Sequence, residues 1–233
     1  MERIRKTLAI ITMLIMAISA NAWPWLSPYA YCMNNPVKFV DPDGQKSLLI
    51  IWASNQQHYG HAAFAIQNYS SNHTPLNTYK IYGLFPYNSY SSTDAVKDKK
   101  VRGLFLISNN KTLDQIESGN FPSGENCKPD GILEIESDYE HDENARNAMQ
   151  EGINLNQGYR GISRNCSTYA REGVRKATGD DNIRGEESIL FEKFVTPNQL
   201  YKETKQKDKV KTIVDAEDKV EYKIDNRLNL LKK

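Results

Sequence analysis

The chain has 233 residues, of which 39% are hydrophobic and 25% charged, ordinary proportions that exclude a collagen-like or wholly disordered protein. Thirty Lys and Arg against 29 Asp and Glu leave a formal charge of +1, which gives no electrostatic case for nucleic-acid binding. Three cysteines cannot build a disulfide-stapled miniprotein, and the length suits one domain of roughly 150–200 residues with appendages.

The first 22 residues read as an export signal: a basic start (Arg3, Arg5, Lys6), an apolar run from Leu8 to Ile18 broken only by Thr12, and the small-x-small exit Ala20-Asn21-Ala22. An uncleaved N-terminal anchor is the competing reading, although the run falls short of the about 20 residues that span a bilayer. Cleavage after Ala22 removes three positive charges and one negative, leaving a nearly neutral chain with no stable membrane span. It also places the protein across the inner membrane, periplasmic or secreted, where disulfides are permissible. Cys32, Cys127 and Cys166 are an odd number, so at least one thiol stays unpaired within the chain.

Trp23–Gly44 is rich in aromatics and turn formers and ends in the breaker Asp41-Pro42-Asp43-Gly44. Its run SPYAYCMNNPVKFVDPDG closely resembles the end of the Rhs/YD-repeat-associated core, which in bacterial polymorphic toxins precedes a variable C-terminal effector domain. No YD repeats precede it here, so the resemblance implies a detached toxin fragment: a signal over 1–22, a core remnant over 23–46, an effector domain over 47–202 and a charged tail over 203–233.

Within the effector, alternation and apolar runs predict strands at Ser47–Trp52, His61–Gln67, Thr78–Gly83, Arg102–Ile107 and Gly131–Ile135. The polar stretch Tyr87–Lys100 reads as a loop. Glu140–Leu155 gathers Ala145, Ala148, Met149, Gly152 and Ile153 on one helical face. Cys166–Thr178 does the same with Tyr169, Ala170, Gly173, Val174 and Ala177, with Asn165 as N-cap and Gly179 just past the end. From Leu200 onward half the residues are charged, and Val210–Asp215 with Val220–Ile224 form a candidate hairpin beside the alternatives of a solvated helix or disorder.

Two segments carry potential chemistry. Gly60-His61-Ala62-Ala63-Phe64 opens a strand with a histidine, and Arg164-Asn165-Cys166-Ser167-Thr168-Tyr169 puts a cysteine in the first turn of a helix. A thiol of pKa about 8.5 is mostly protonated at neutral pH, whereas a helix N-terminus and a neighbouring imidazole favour the nucleophilic thiolate. Each residue also has a plain explanation, Cys166 as a small buried hydrophobe and His61 as a surface or hydrogen-bonding group. His58 and His61 with His73 or His141 offer half a metal site, but two histidines three apart on a strand point to opposite faces. Cys127 lies in a loop and reads as unreactive or paired with Cys32.

Gly60–Ile66, Tyr82–Pro86, Asn165–Ala170 and Thr196–Tyr201 together resemble the circularly permuted papain-like cysteine hydrolases, in which the histidine strand precedes the cysteine helix. The resemblance spans about residues 47–202 and implies an α+β fold with a small antiparallel sheet packed against the cysteine-bearing helix. It implies Cys166 as nucleophile, His61 as general base and a thioester acyl-enzyme, with the Cys166 N–H as an oxyanion donor. Related domains carry a polar orienting residue on the strand after the histidine strand. Here Asn77 at the start of that strand is the nearest candidate, with Tyr82 second. The implied activity is that of a peptidase, peptidoglycan amidase or acyltransferase, with a peptide, peptidoglycan or acyl substrate, no cofactor, no metal and a possible immunity protein as partner. The alternatives are a degenerate, non-catalytic toxin remnant that binds a partner and a metal-dependent nuclease effector.

Overall fold

The segments expected as strands make up most of one sheet in a computed structural model that describes residues 46–54, 60–87, 98–120, 128–155, 158–189 and 192–221. The export segment, the turn-rich stretch to Gly44, His58, Cys32 and Cys127 lie outside the described residues. Eight strands occur in chain order: β1 (Lys46–Trp52), β2 (His61–Tyr69), β3 (Pro75–Pro86), β4 (Gly103–Lys111), β5 (Gly131–Glu136), β6 (Glu186–Ile189), β7 (Glu192–Val195) and β8 (Val210–Val214). The helices are α1 (Leu113–Glu117), α2 (Tyr139–Asn154), α3 (Cys166–Thr178), α4 (Pro197–Lys205) and α5 (Glu217–Val220).

Six strands form one sheet in the order β4-β3-β2-β1-β5-β8, with every neighbouring pair antiparallel, while β6 and β7 form a separate hairpin. The fold is α+β, as the sequence implies. Continuous apolar runs place β1 and β2 at the centre, because both faces of these strands are covered. Leu49, Ile51, Ala62, Phe64, Tyr82, Leu84 and Leu133 face α2, α3 and α4, whereas Leu48, Ile50, Ala63, Ala65, Tyr79 and Ile81 share the opposite face with Ile116 of α1. Each fully buried Leu, Ile or Phe contributes about 1.5–3 kcal/mol.

The helix termini follow local chemistry. Asn165 accepts the Thr168 N–H, and Gly179 closes α3 in the left-handed region at φ 68°. Thr112 and Gln115 form a reciprocal capping box on α1, a short helix absent from the sequence reading. The segment over 203–233 requires a correction. Its Val210–Val214 is a strand of the main sheet paired with β5 and Val220 ends α5, while residues 222–224 of the candidate hairpin lie outside the described residues.

Candidate active site

The first turn of α3 is fixed from three directions. Asn165 caps the helix and donates through Nδ2 to the carbonyls of Gly161 (2.9 Å) and Val195 (3.1 Å), tying the helix start to the preceding turn and to β7. The Asp98 carboxylate accepts from the N–H groups of Ile162 (2.9 Å) and Ser163 (3.0 Å) and from the Ser163 hydroxyl (2.6 Å). Val101 and Tyr159 exchange backbone bonds at 2.9 and 2.8 Å. These contacts hold the loop that delivers Cys166. Asp98 carries no distinguishing signal in the sequence, since its three partners are set by the tertiary approach of two loops.

Small residues let α3 lie close over β2. A Cβ on Gly173 would stand 2.4 Å from the Phe64 ring, so any side chain there would push the helix away. This packing brings the Cys166 sulfur against the backbone N–H of Ala62, the residue that follows His61. Two segments remote in sequence thus meet at one end of the sheet. Cys166 is a free thiol with 7% of its surface exposed. Burial pushes its pKa up, while the Ala62 N–H, the Ser167 hydroxyl and the N–H groups of the helix start pull it back in part. The Ser167 hydroxyl lies 3.9 Å from the sulfur.

His61 is 8% exposed and set among aromatics, with its ring stacked on Phe85 at 4.0 Å and tilted against Trp52 at 5.4 Å. Its Nε2 is buried with no hydrogen-bond partner, and desolvation alone lowers its pKa to about 3. A Cβ on Gly83 would stand 3.5 Å from that nitrogen, and Gly83 has no side chain to offer it. The alternation of β2 adds a second constraint. Ala62 and Phe64 face α3, whereas His61 shares the opposite face with Ala63 and Ala65. Cys166 and His61 are therefore neighbours through the backbone, and their side chains leave β2 on different sides.

The structure does not bring Asn77 to this pair. The register sets Ala63 beside Gly83 and Gln67 beside Tyr79, which puts Asn77 near the far end of β2, on the order of 25 Å along the strand from Phe85. It is exposed there, and it is not the orienting residue. Tyr82 does not fill the role either, because it packs on the α3 face and its buried hydroxyl has no partner. His73 packs on Tyr139 and His141 bonds Asp138 at 2.7 Å, both away from His61. Among the described residues no three His, Cys, Asp or Glu converge as metal ligands, and no described helix is long and apolar enough to cross a membrane.

With the thiol pushed up and the imidazole pushed down, both groups are neutral at pH 7. Such a site stores no thiolate–imidazolium pair, so any attack by the sulfur requires its proton to leave in the same step. The class defined by fold and site is an α+β domain with a buried thiol at a helix start beside a histidine-bearing strand. No family model, curated protein or solved structure matches the chain.

Proposed function

We propose that the chain is a cysteine-dependent hydrolase or acyltransferase of the permuted papain-like type, acting on an amide or ester carbonyl as an exported toxin effector. The observation that carries the reading is the placement of the Cys166 sulfur on the Ala62 N–H, directly beside His61. In the first step the sulfur attacks the carbonyl carbon and its proton passes to His61. The oxyanion that forms is met by N–H groups of the α3 start. Collapse expels an amine or alcohol, which takes the proton from the imidazole and leaves a thioester. Water or another acceptor then gives up a proton to His61, attacks the thioester and restores the thiol. Because His61 leaves β2 on the face away from α3, these transfers require its imidazole to leave the stack on Phe85 and reach the sulfur round the start of β2, and no hydrogen bond on Nε2 has to break for it to do so.

A second reading, a non-catalytic remnant that binds a partner or immunity protein, is favoured by one observation. The buried Nε2 of His61 has no hydrogen-bond partner, and its ring faces Phe85 rather than a polar group. Expression in a sensitive bacterium, with and without residues 1–22, separates the two. The hydrolase reading predicts that Cys166→Ala and His61→Asn each abolish lysis or growth arrest while the protein stays folded. Toxicity that survives both substitutions supports the binding module instead.

A further inference from the structure

We propose that the cleft between α2 and α3 is a binding site for a small carboxylate or phosphate ligand, anchored by the guanidinium of Arg164. The cleft has a volume of about 380 Å³ and is lined by Glu151, Gly152 and Leu155 on the α2 side and by Arg164, Arg171 and Lys176 on the other. That volume lies within the about 300–1,000 Å³ usual for small-molecule sites.

The charges around it do not balance. Glu172, which also lines the cleft, is engaged by Arg175 at 3.3 Å and by Arg171 at 3.6 Å. Arg171 also donates to the Arg184 carbonyl at 3.1 Å and lies 3.7 Å from Glu186, so its outer nitrogens are committed within the protein. Arg164 has no such partner: its Nε is buried without a hydrogen bond, and it forms no ion pair among the described residues. Glu151 is exposed and likewise forms no ion pair there. The outer nitrogens of Arg164 have no hydrogen-bond or ion-pair partner among the described residues; a partly desolvated guanidinium is costly unless an anion meets it, and carboxylate and phosphate oxygens match the spacing of its two outer nitrogens. Glu151 opposes an anion there and so limits its affinity. The site lies on the flank of α3 toward α2, whereas Cys166 faces β2, and the inference does not depend on catalysis.

The test is titration of the full chain with inorganic phosphate and, separately, with succinate, following the Arg164 Nε–H resonance by NMR. A saturable shift with either probe is expected, and the probe that gives it assigns phosphate or carboxylate chemistry. Arg164→Gln should weaken binding at least tenfold, Arg164→Lys should retain part of it, and Glu151→Gln should tighten it two- to threefold. The proposal is overturned if neither probe gives a saturable shift, or if a folded Arg164→Gln protein binds as the parent does. Should Arg164→Gln fail to fold, Glu151→Gln decides: tighter binding supports the site, and unchanged or weaker binding overturns it.

Discussion

Two buried titratable groups, one packed against each end of the central strands, are treated in opposite ways. Asp142, in the first turn of α2, is fully buried, yet it accepts hydrogen bonds from the hydroxyls of Ser47 (2.8 Å), Tyr69 (2.5 Å) and Ser137 (2.5 Å). Burial raises its pKa, the three hydroxyls pull it back in part, and the group ties α2 to β1 and β2. His61, at the opposite end of β2, is nearly as buried and has aromatic rings where Asp142 has hydroxyls. Both carry the cost of desolvation, but only Asp142 is repaid by hydrogen bonds. A satisfied buried acid is a structural bolt. The imidazole of His61 ties no elements together, because its buried Nε2 makes no hydrogen bond.

The largest expected effect breaks the bolt. Asp142→Ala should lower stability by about 3 kcal/mol or more, since it strands hydroxyls inside the protein, and urea unfolding measures it directly. Loss of less than about 1 kcal/mol would show that the hydroxyls find other partners. His61 has no such bonds to lose, so His61→Asn should change stability little at pH 7.

The same substitution should change the response to acid. The folded state holds the imidazole neutral down to about pH 3, whereas the unfolded chain protonates it near the ordinary imidazole pKa of 6.5. Stability from this group is complete above pH 6.5 and is lost as the pH falls toward 3, with a slope of at most about 1.4 kcal/mol per pH unit. The parent should therefore lose more stability than His61→Asn between those limits. Parallel unfolding curves for the two proteins would mean that His61 is solvated in the folded state. The smallest effect is expected from Asn77→Ala, which should alter stability by less than about 0.5 kcal/mol and leave any activity unchanged.

What the sequence made legible was local. The ends of α3 were readable because Asn165 and Gly179 signal within a few residues of themselves, and β1 and β2 because their apolar runs are unbroken. Register is a property of two strands, and this is why Asn77 looked like a neighbour of the histidine when it lies at the other end of β2. The same limit applies to His61 itself. The sequence placed it at the start of a strand, but the side it faces relative to α3 is set by Phe64 packing on Gly173. β8 was obscured because its partner, β5, is distant in the chain and its own side chains are only half buried. Arg164 was visible as a residue beside Cys166, but its lack of a partner is visible only once α2 and α3 are packed together.

The central claim is that Cys166 and His61 act as one unit, and the pH dependence of alkylation at Cys166 tests it most directly. Iodoacetamide modification of that peptide is followed by mass spectrometry in the parent and in His61→Asn. The raised thiol pKa predicts a rate that is low at pH 6 and still climbing at pH 9, in place of the flat profile of a preformed thiolate. If the imidazole assists removal of the proton, His61→Asn slows the reaction at least tenfold at pH 8. Equal rates in the two proteins would contradict the claim.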